Sequence, residues 1–344
     1  MACSCCIVPP DVLKRLARDP KVSAAARKAA SDTARLSTAI RKLRDQAGEI
    51  TRVVGAVGAS RSHAIATKPK VTVYDCKQTQ TLPGSPVANP GWAADATAKR
   101  TFVETTGVAK FYKKAFDRNS IDDAAMTLMS SIHYGVKFNN AMWNGTQMLY
   151  GDGDAQLFVD FTRGNDVIGH ELTHGVTQHS LQLAYAGDAG GLNESISDCF
   201  GSMFRQWEAK QDVTKADWLI GSDILGPAAR SAGYTSLRNM ANPADKKALA
   251  PQPTKYSQLT PTMDPHYTSG PPNLAFCLAC QAAGGRSWET VGLVWYRALT
   301  GFAPSPNMKM KTFANRTRAV AKQLFPANPK IAAAIDSGWK QVGL

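Results

Sequence analysis

The stretch Asp166-Val-Ile-Gly-His-Glu-Leu-Thr-His-Gly-Val-Thr-Gln178 decides how this chain is read. It holds His170, Glu171 and His174 in the pattern H-E-x-x-H. On a helix the two histidines fall at i and i+4, so both imidazoles leave one face about one turn apart and can ligate a single zinc ion. Glu171, beside them, is placed to take a proton from a water on that metal rather than to bind it. A third ligand is needed, and Gly191-Leu-Asn-Glu-Ser-Ile-Ser-Asp-Cys-Phe-Gly201 offers Glu194, twenty positions after His174. Two histidines and a carboxylate leave the fourth position of a tetrahedral zinc open for water. Asp198 lies one turn beyond Glu194 on the same helical face, where it can accept the second N–H of a ligand imidazole and fix its tautomer.

These two blocks resemble those of the thermolysin-like zinc endopeptidases, and the similarity extends over roughly residues 71 to 344. The resemblance implies an α+β, two-lobed fold: a β-rich N-terminal lobe and an α-helical C-terminal lobe, joined by the zinc-binding helix, with the cleft between them. Ile7-Val-Pro-Pro-Asp-Val-Leu13 resembles the short propeptide motif of the protealysin-like subgroup, which implies a latent precursor held by its own N-terminal segment in cis. The expected division is 1–66 for a helical propeptide and linker, 67–178 for the first lobe, and 179–344 for the second.

The resemblance also assigns residues. His266 matches the family's transition-state histidine, with Asp264 orienting its ring, and Tyr185 matches the tyrosine nine positions before the glutamate ligand. Asn139-Asn140-Ala-Met-Trp143 is similar to the strand that pairs with an extended peptide substrate, so Asn140 and Ala141 become backbone-binding residues. Arg238 matches an arginine that contacts a substrate carbonyl. Phe158, Phe161, Val167, Ile220 and Leu237 match the wall of the pocket for the residue on the amine side of the cut bond, which implies a hydrophobic P1′ side chain. Two departures stand out: Thr268 where an Asn is usual, and Pro271 in the turn that follows. The family's paired calcium site maps onto Asp166, Arg205, Asp217, Leu219 and Ser222, of which only two are acidic, and another calcium position carries Thr235 in place of aspartate. A hard divalent ion wants several carboxylate oxygens, so the paired calcium site is expected to be absent, with Arg205 pairing to Asp166 or Asp217 instead.

Composition is consistent with this reading. At 344 residues, 44% hydrophobic, the chain has ample material for about two domains. No run approaches the ~20 apolar residues of a membrane span. Met1–Pro10 has no basic residue before a short apolar stretch, so no secretory signal is recognisable, and the expectation is a soluble chain, cytoplasmic or released by another route. Seven cysteines, three of them at Cys3, Cys5 and Cys6, do not read as a disulfide framework. A thiolate from that cluster could reach a zinc ion, or the three could be ordinary reduced thiols. Cys277 and Cys280, spaced C-x-x-C, could bind metal or cycle redox state, but inside the apolar run Leu274-Ala-Phe-Cys-Leu-Ala-Cys280 they read rather as small buried helix residues. Residues 1–66 carry twelve Lys/Arg against five Asp/Glu, about half of the net charge of +13. With no aromatic interleaving or nucleic-acid motif there, a solvated basic helix face is expected and no nucleic-acid partner. A second function, a catalytically silent zinc-stabilised protein presenting those basic helices to an acidic partner or nucleic acid, would call for loss of the base or the transition-state donors. Glu171, Tyr185 and His266 are all present.

Periodicity places the remaining elements. Pro9-Pro10-Asp11 opens a short helix, and Val22 to about Gly48 reads as an amphipathic helix with a thin stripe at Leu36, Ile40 and Leu43. So thin a pair cannot bury its own core and must pack on something else. Residues 53–70 have linker composition. Val71–Asp75 alternates as a strand, a helix covers Asp95–Phe116, and Val136–Asn140 and Gln147–Tyr150 flank the turn signal Asn144-Gly145.

Overall fold

The structure, a computed structural model, describes residues 5–54 and 68–344, so most of the expected linker lies outside it. Strand β1 (Cys5–Cys6) leads into helix α1 (Pro10–Arg18). Pro10 sits at the first helical position, where its missing N–H costs nothing, and Arg15 and Arg18 lie in the last turn, near the negative end of the helix dipole. Helix α2 (Ala24–Val54) packs beside α1. Over its described side chains, which stop before Leu43, the buried face is not the predicted stripe. Ala26, Ala30, Thr33, Ala34 and Ser37 are buried, whereas Leu36 and Ile40 only lean on a smaller cluster. Small side chains let α2 approach the body closely, a signal that hydrophobic periodicity does not carry. As expected, the pair has no core of its own: Val12, Leu13 and Leu16 join the main core.

The sheet then builds outward from a parallel centre. Strands β2 (Val71–Asp75), β3 (Ser85–Pro86), β4 (Leu128–Ile132), β5 (Ala141–Trp143) and β6 (Met148–Tyr150) align in the order β1-β5-β6-β4-β2-β3. Helix α3 (Ala96–Phe116) connects β3 to β4, with Asp95 capping it by accepting from the N–H groups of Thr97 and Ala98. The hairpin around Asn144-Gly145 is present, but its first strand is Ala141–Trp143 rather than Val136–Asn140. Lys137 takes a left-handed φ of 50°, which ends any extended run there. Without β1, strand β5 would be the edge of the sheet.

The helical part begins at α4 (Asn165–Gln178), which crosses α5 (Gly187–Glu208) at very short range. A Cβ on Gly201 would lie 2.4 Å from the Asp166 carbonyl oxygen, and one on Gly169 would lie 3.1 Å from the Gly201 Cα. Only glycine at this crossing allows the two ligand-bearing helices to meet. A two-stranded ribbon of β7 (Leu219–Ile220) and β8 (Arg238–Asn239), with α6 (Pro227–Ser231) between them, lies beyond α5. Helices α7 (Pro265–Thr268), α8 (Gly270–Ala283), α9 (Val291–Thr300), α10 (Met310–Leu324) and α11 (Pro329–Gln341) complete the second lobe. Pro271 falls in the first turn of α8, where proline is tolerated, and Cys277 and Cys280 are buried on that helix. Among the described residues, no helix is long and apolar enough to cross a membrane.

One polar cluster in the first lobe escaped the sequence reading. His133, at a left-handed φ of 51°, places Nδ1 2.6 Å from Asp152 and Nε2 2.9 Å from Asp95. The Asp152 hydrogen bond, opposed by partial burial and reinforced by Asp95, pushes the imidazole up to about 9. Its folded value therefore exceeds the unfolded ~6.5, so the stabilisation is complete below pH ~6.5 and is lost as pH rises through about 9. Between pH 7 and 10 the protein should lose on the order of 1–3 kcal/mol more than His133→Gln does, read as the pH dependence of urea midpoints. Parallel pH profiles for the two proteins would remove this role.

Candidate active site

His170, Glu171 and His174 lie on α4 and Glu194 and Asp198 on α5, all fully buried where the helices cross. His170 Nε2 and His174 Nε2 are 3.0 Å apart, and each is 3.6 Å from an oxygen of Glu194. The other nitrogen of each ring is engaged: His170 Nδ1 lies 2.8 Å from Asp198, and His174 Nδ1 lies 2.9 Å from Asn193 Oδ1 and 3.0 Å from Ser197 Oγ. With Nδ1–H donated outward, both Nε2 lone pairs face Glu194, whose Oε2 is buried without a hydrogen-bond donor. Burial pushes His174 down to about 3, which keeps the ring neutral, the form that ligates a metal. Ligand atoms about 2 Å from a central tetrahedral ion stand about 3.3 Å apart, so the set fits zinc. Among the described residues these three form the sole cluster able to hold a metal.

The surrounding residues fix this geometry. Asp198 also takes a two-pronged contact from Arg238, Nε at 2.9 Å and Nη2 at 2.8 Å, and a bond from Asn273 Nδ2 at 2.9 Å. Burial would raise the Asp198 pKa, but Arg238 and His170 hold it well below the usual carboxylate range. Glu171 Oε2 accepts from the backbone N–H of Trp143 at 2.8 Å, which sets the carboxylate beside β5. Tyr185 donates to Glu194 Oε1 at 2.6 Å, and its hydroxyl lies 3.4 Å from His266 Nε2. His266 Nδ1 lies 2.6 Å from Asp264, which also accepts from the His266 N–H. Opposing its burial, Glu194 and Asp264 raise the His266 pKa, which favours a ring that donates. The hydroxyl of Thr268, the departure from the family pattern, donates to the Pro265 carbonyl at 3.3 Å.

The cleft is filled by the chain's own N-terminus. Strand β1 pairs antiparallel with β5, Cys5 opposite Trp143 and Cys6 opposite Met142. Ile7 N–H donates to the Ala141 carbonyl at 3.1 Å, and Val8 exchanges bonds of 3.0 and 3.1 Å with the Asn140 side chain. Arg238 Nη1 donates to the Ile7 carbonyl at 2.9 Å, and His266 Nε2 lies 2.5 Å from the Cys6 carbonyl oxygen. Ile7 is fully buried in the same apolar cluster as Phe158, Phe161, Val167, Ile220 and Leu237.

One outcome differs from expectation and two others add detail to it. The basic face of α2 is not wholly solvated: Arg41 reaches into the site, 3.4 Å from Asp264 and 3.1 Å from Cys6 Sγ, with its guanidinium over the Tyr185 ring at 5.4 Å. The Cys6 thiol bonds to the Val8 carbonyl and stands apart from the metal cluster; burial, partly offset by Arg41, pushes it up to about 11. Cys3 and the Cys5 side chain lie outside the described residues. Arg205 meets both predicted partners, Asp166 at 3.7 Å and Asp217 at 3.6 Å, but its closest is Asp223 at 2.5 Å. Asp223 was missed because ion-pair partners across a fold leave no spacing signal. Asn193 was legible in principle, since it directly precedes Glu194.

Two imidazoles and a carboxylate converging between crossed helices, with a further carboxylate beside them, make this the site of a metal-dependent hydrolase. Residues 53–178 match the family model described as the thermolysin metallopeptidase catalytic domain, and residues 181–344 that of its alpha-helical domain. The chain belongs to the thermolysin metallopeptidase family, and it is a zinc endopeptidase acting on polypeptides. It is 37% identical over 281 residues to an extracellular metalloprotease of Pectobacterium carotovorum subsp. carotovorum, covering 79% of this chain and 80% of that protein. To the protease PrtS of Photorhabdus sp. (strain Az29) it is 36% identical over 283 residues, 79% and 76% of the two chains. The solved precursor of protealysin, a metalloproteinase from Serratia proteamaculans, superposes with a TM-score of 0.83 at 33% identity, over 98% of this chain and 99% of that one. The fold is thus thermolysin-like and of the protealysin-like kind.

Proposed function

We propose that this endopeptidase is a latent precursor that cuts before hydrophobic residues. The observation that carries the reading is the seating of residues 5–8 in the cleft, with the Ile7 side chain fully buried and its carbonyl on Arg238. A cleft occupied in this way admits no substrate until the segment leaves. The functional division is 1–66 as prosegment and linker, 67–178 as the first lobe and 179–344 as the second.

In the active form, His170, His174 and Glu194 hold the zinc, with Asp198 fixing the His170 tautomer. The bound ion would supply Lewis acidity to the scissile carbonyl and to the attacking water. Glu171 takes a proton from that water and passes it to the leaving nitrogen. His266, oriented by Asp264, and Tyr185 donate hydrogen bonds to the oxyanion as it develops. Asn140, Ala141 and Arg238 pair with the substrate backbone, while Phe158, Phe161, Val167, Ile220 and Leu237 receive the P1′ side chain. The test is casein or peptide digestion by the chain before and after loss of residues 1–66, with and without a zinc chelator. Full activity with Ile7 still covalently present would end the latency reading, and P1′ preference for a charged residue would end the specificity reading.

The paired calcium site is replaced by Arg205. Its guanidinium lies among Asp166, Asp217 and Asp223, with Asp166 Oδ1 3.7 Å from Nη1, and Asp166 Oδ2 accepts from the Gly221 N–H at 2.6 Å. Placing a doubly charged ion beside that cation, with the carboxylates already engaged, is unfavourable. The melting temperature should be nearly the same in calcium and in a calcium-selective chelator. A drop of more than about 10 °C in the chelator would reveal a bound ion.

A further inference from the structure

The prosegment does more than fill the cleft, because its direction and register are those of a substrate. A blocking segment can lie in a cleft in either direction and in any register. Here one peptide carbonyl, that of Cys6, is on His266 at 2.5 Å. The next residue, Ile7, has its N–H on the Ala141 carbonyl, its side chain fully buried and its carbonyl on Arg238. Val8 is held at both backbone groups by Asn140. On the other side of the bond, β1 stays paired with β5, and Trp143, opposite Cys5, is the residue whose N–H holds Glu171. The base is therefore fixed beneath the strand that carries the Cys6–Ile7 bond.

We infer that Cys6–Ile7 is a self-cleavage site, hydrolysed by the enzyme within its own chain. The inference rests on the zinc-endopeptidase chemistry proposed above and adds a bond to it. A water oxygen adds to the Cys6 carbonyl carbon while Glu171 removes one of its protons. The Cys6 C–N bond then breaks and the proton passes to the Ile7 nitrogen, leaving a Cys6 carboxylate and an Ile7 α-amine. No other reactant is consumed. The cut also has a structural consequence. The β1–β5 pairing, the His266 contact and the Arg41–Cys6 contact all belong to the part that leaves. The rest of the prosegment stays anchored through Arg15 on the Leu249 carbonyl and Asp11 on Tyr267. Release therefore proceeds in two stages, and the first frees the oxyanion donors.

The experiment uses the full chain, purified metal-free and then given zinc, with intact mass and N-terminal sequencing of every fragment over time. Formation of a chain beginning at Ile7, with release of the peptide 1–6, is expected. Its first-order rate should not change over about a tenfold range of protein concentration, and it should be absent from Glu171→Ala. A prosegment that is shed still beginning upstream of Cys6, from an enzyme that digests casein, overturns the inference and leaves the endopeptidase reading intact. A rate proportional to concentration overturns cleavage in cis. A zinc-loaded chain that neither cuts itself nor digests casein overturns both.

Discussion

Glu171→Ala is expected to abolish proteolysis while leaving the zinc site filled. Glu171 is adjacent to His170 but contributes no atom to the three-ligand cluster, so its removal does not change the donor set. What is lost is the proton acceptor, which by itself accounts for about 10²–10⁴ in rate, and more where the attacking water depends on it entirely. The variant also takes away the acceptor of the Trp143 N–H, now at 2.8 Å. That should destabilise the fold by about 1–2 kcal/mol, well short of unfolding it. Zinc content by elemental analysis, kcat/KM on a peptide with a large apolar P1′ residue, and a denaturation curve separate these effects. Retention of most of the activity would remove Glu171 from the mechanism. Loss of zinc together with activity would make it a structural residue.

Asp198→Ala should have the second largest effect, and chiefly on stability. Asp198 is the single carboxylate on which His170 Nδ1, the Arg238 guanidinium and Asn273 converge, and all four side chains are buried. Truncation leaves Arg238 charged and without its counter-ion in the core, which typically destabilises by about 3–5 kcal/mol. It also frees the His170 ring to change tautomer, and losses of this kind weaken metal binding by about 10–100-fold. Asp198→Asn keeps a hydrogen-bond acceptor for His170 but not the charge, so it should retain more zinc affinity than stability. Urea denaturation of the metal-free proteins, with zinc titration against a competing chelator, reads the two effects independently. An alanine variant as stable as the parent would show that Arg238 finds another partner.

The linear order of residues carried the ligands because their chemistry is local. His170, Glu171 and His174 sit on one helical turn, Glu194 and Asp198 on another, and spacing alone shows which face each occupies. Alternation and turn chemistry likewise made β2, α3 and the turn at Asn144-Gly145 with the strand after it readable, since each depends on near neighbours. The edge-strand and pocket residues were reached only through family resemblance. What the sequence could not determine were the contacts between distant segments. Gly169 and Gly201 permit the crossing of α4 and α5, yet a glycine inside a helix is locally only a weak point. Arg41 looked like one more exposed cation until α2 docked by its alanines and carried it against Asp264 and Cys6. Asp223 joined Arg205, and His133 took two carboxylates, through loops with no periodicity. Above all, the motif near Pro9-Pro10 suggested an inhibitory segment but not its register. That depends on backbone hydrogen bonds to β5, which any side-chain sequence can make, and so only the folded chain sets the Cys6–Ile7 bond against His266.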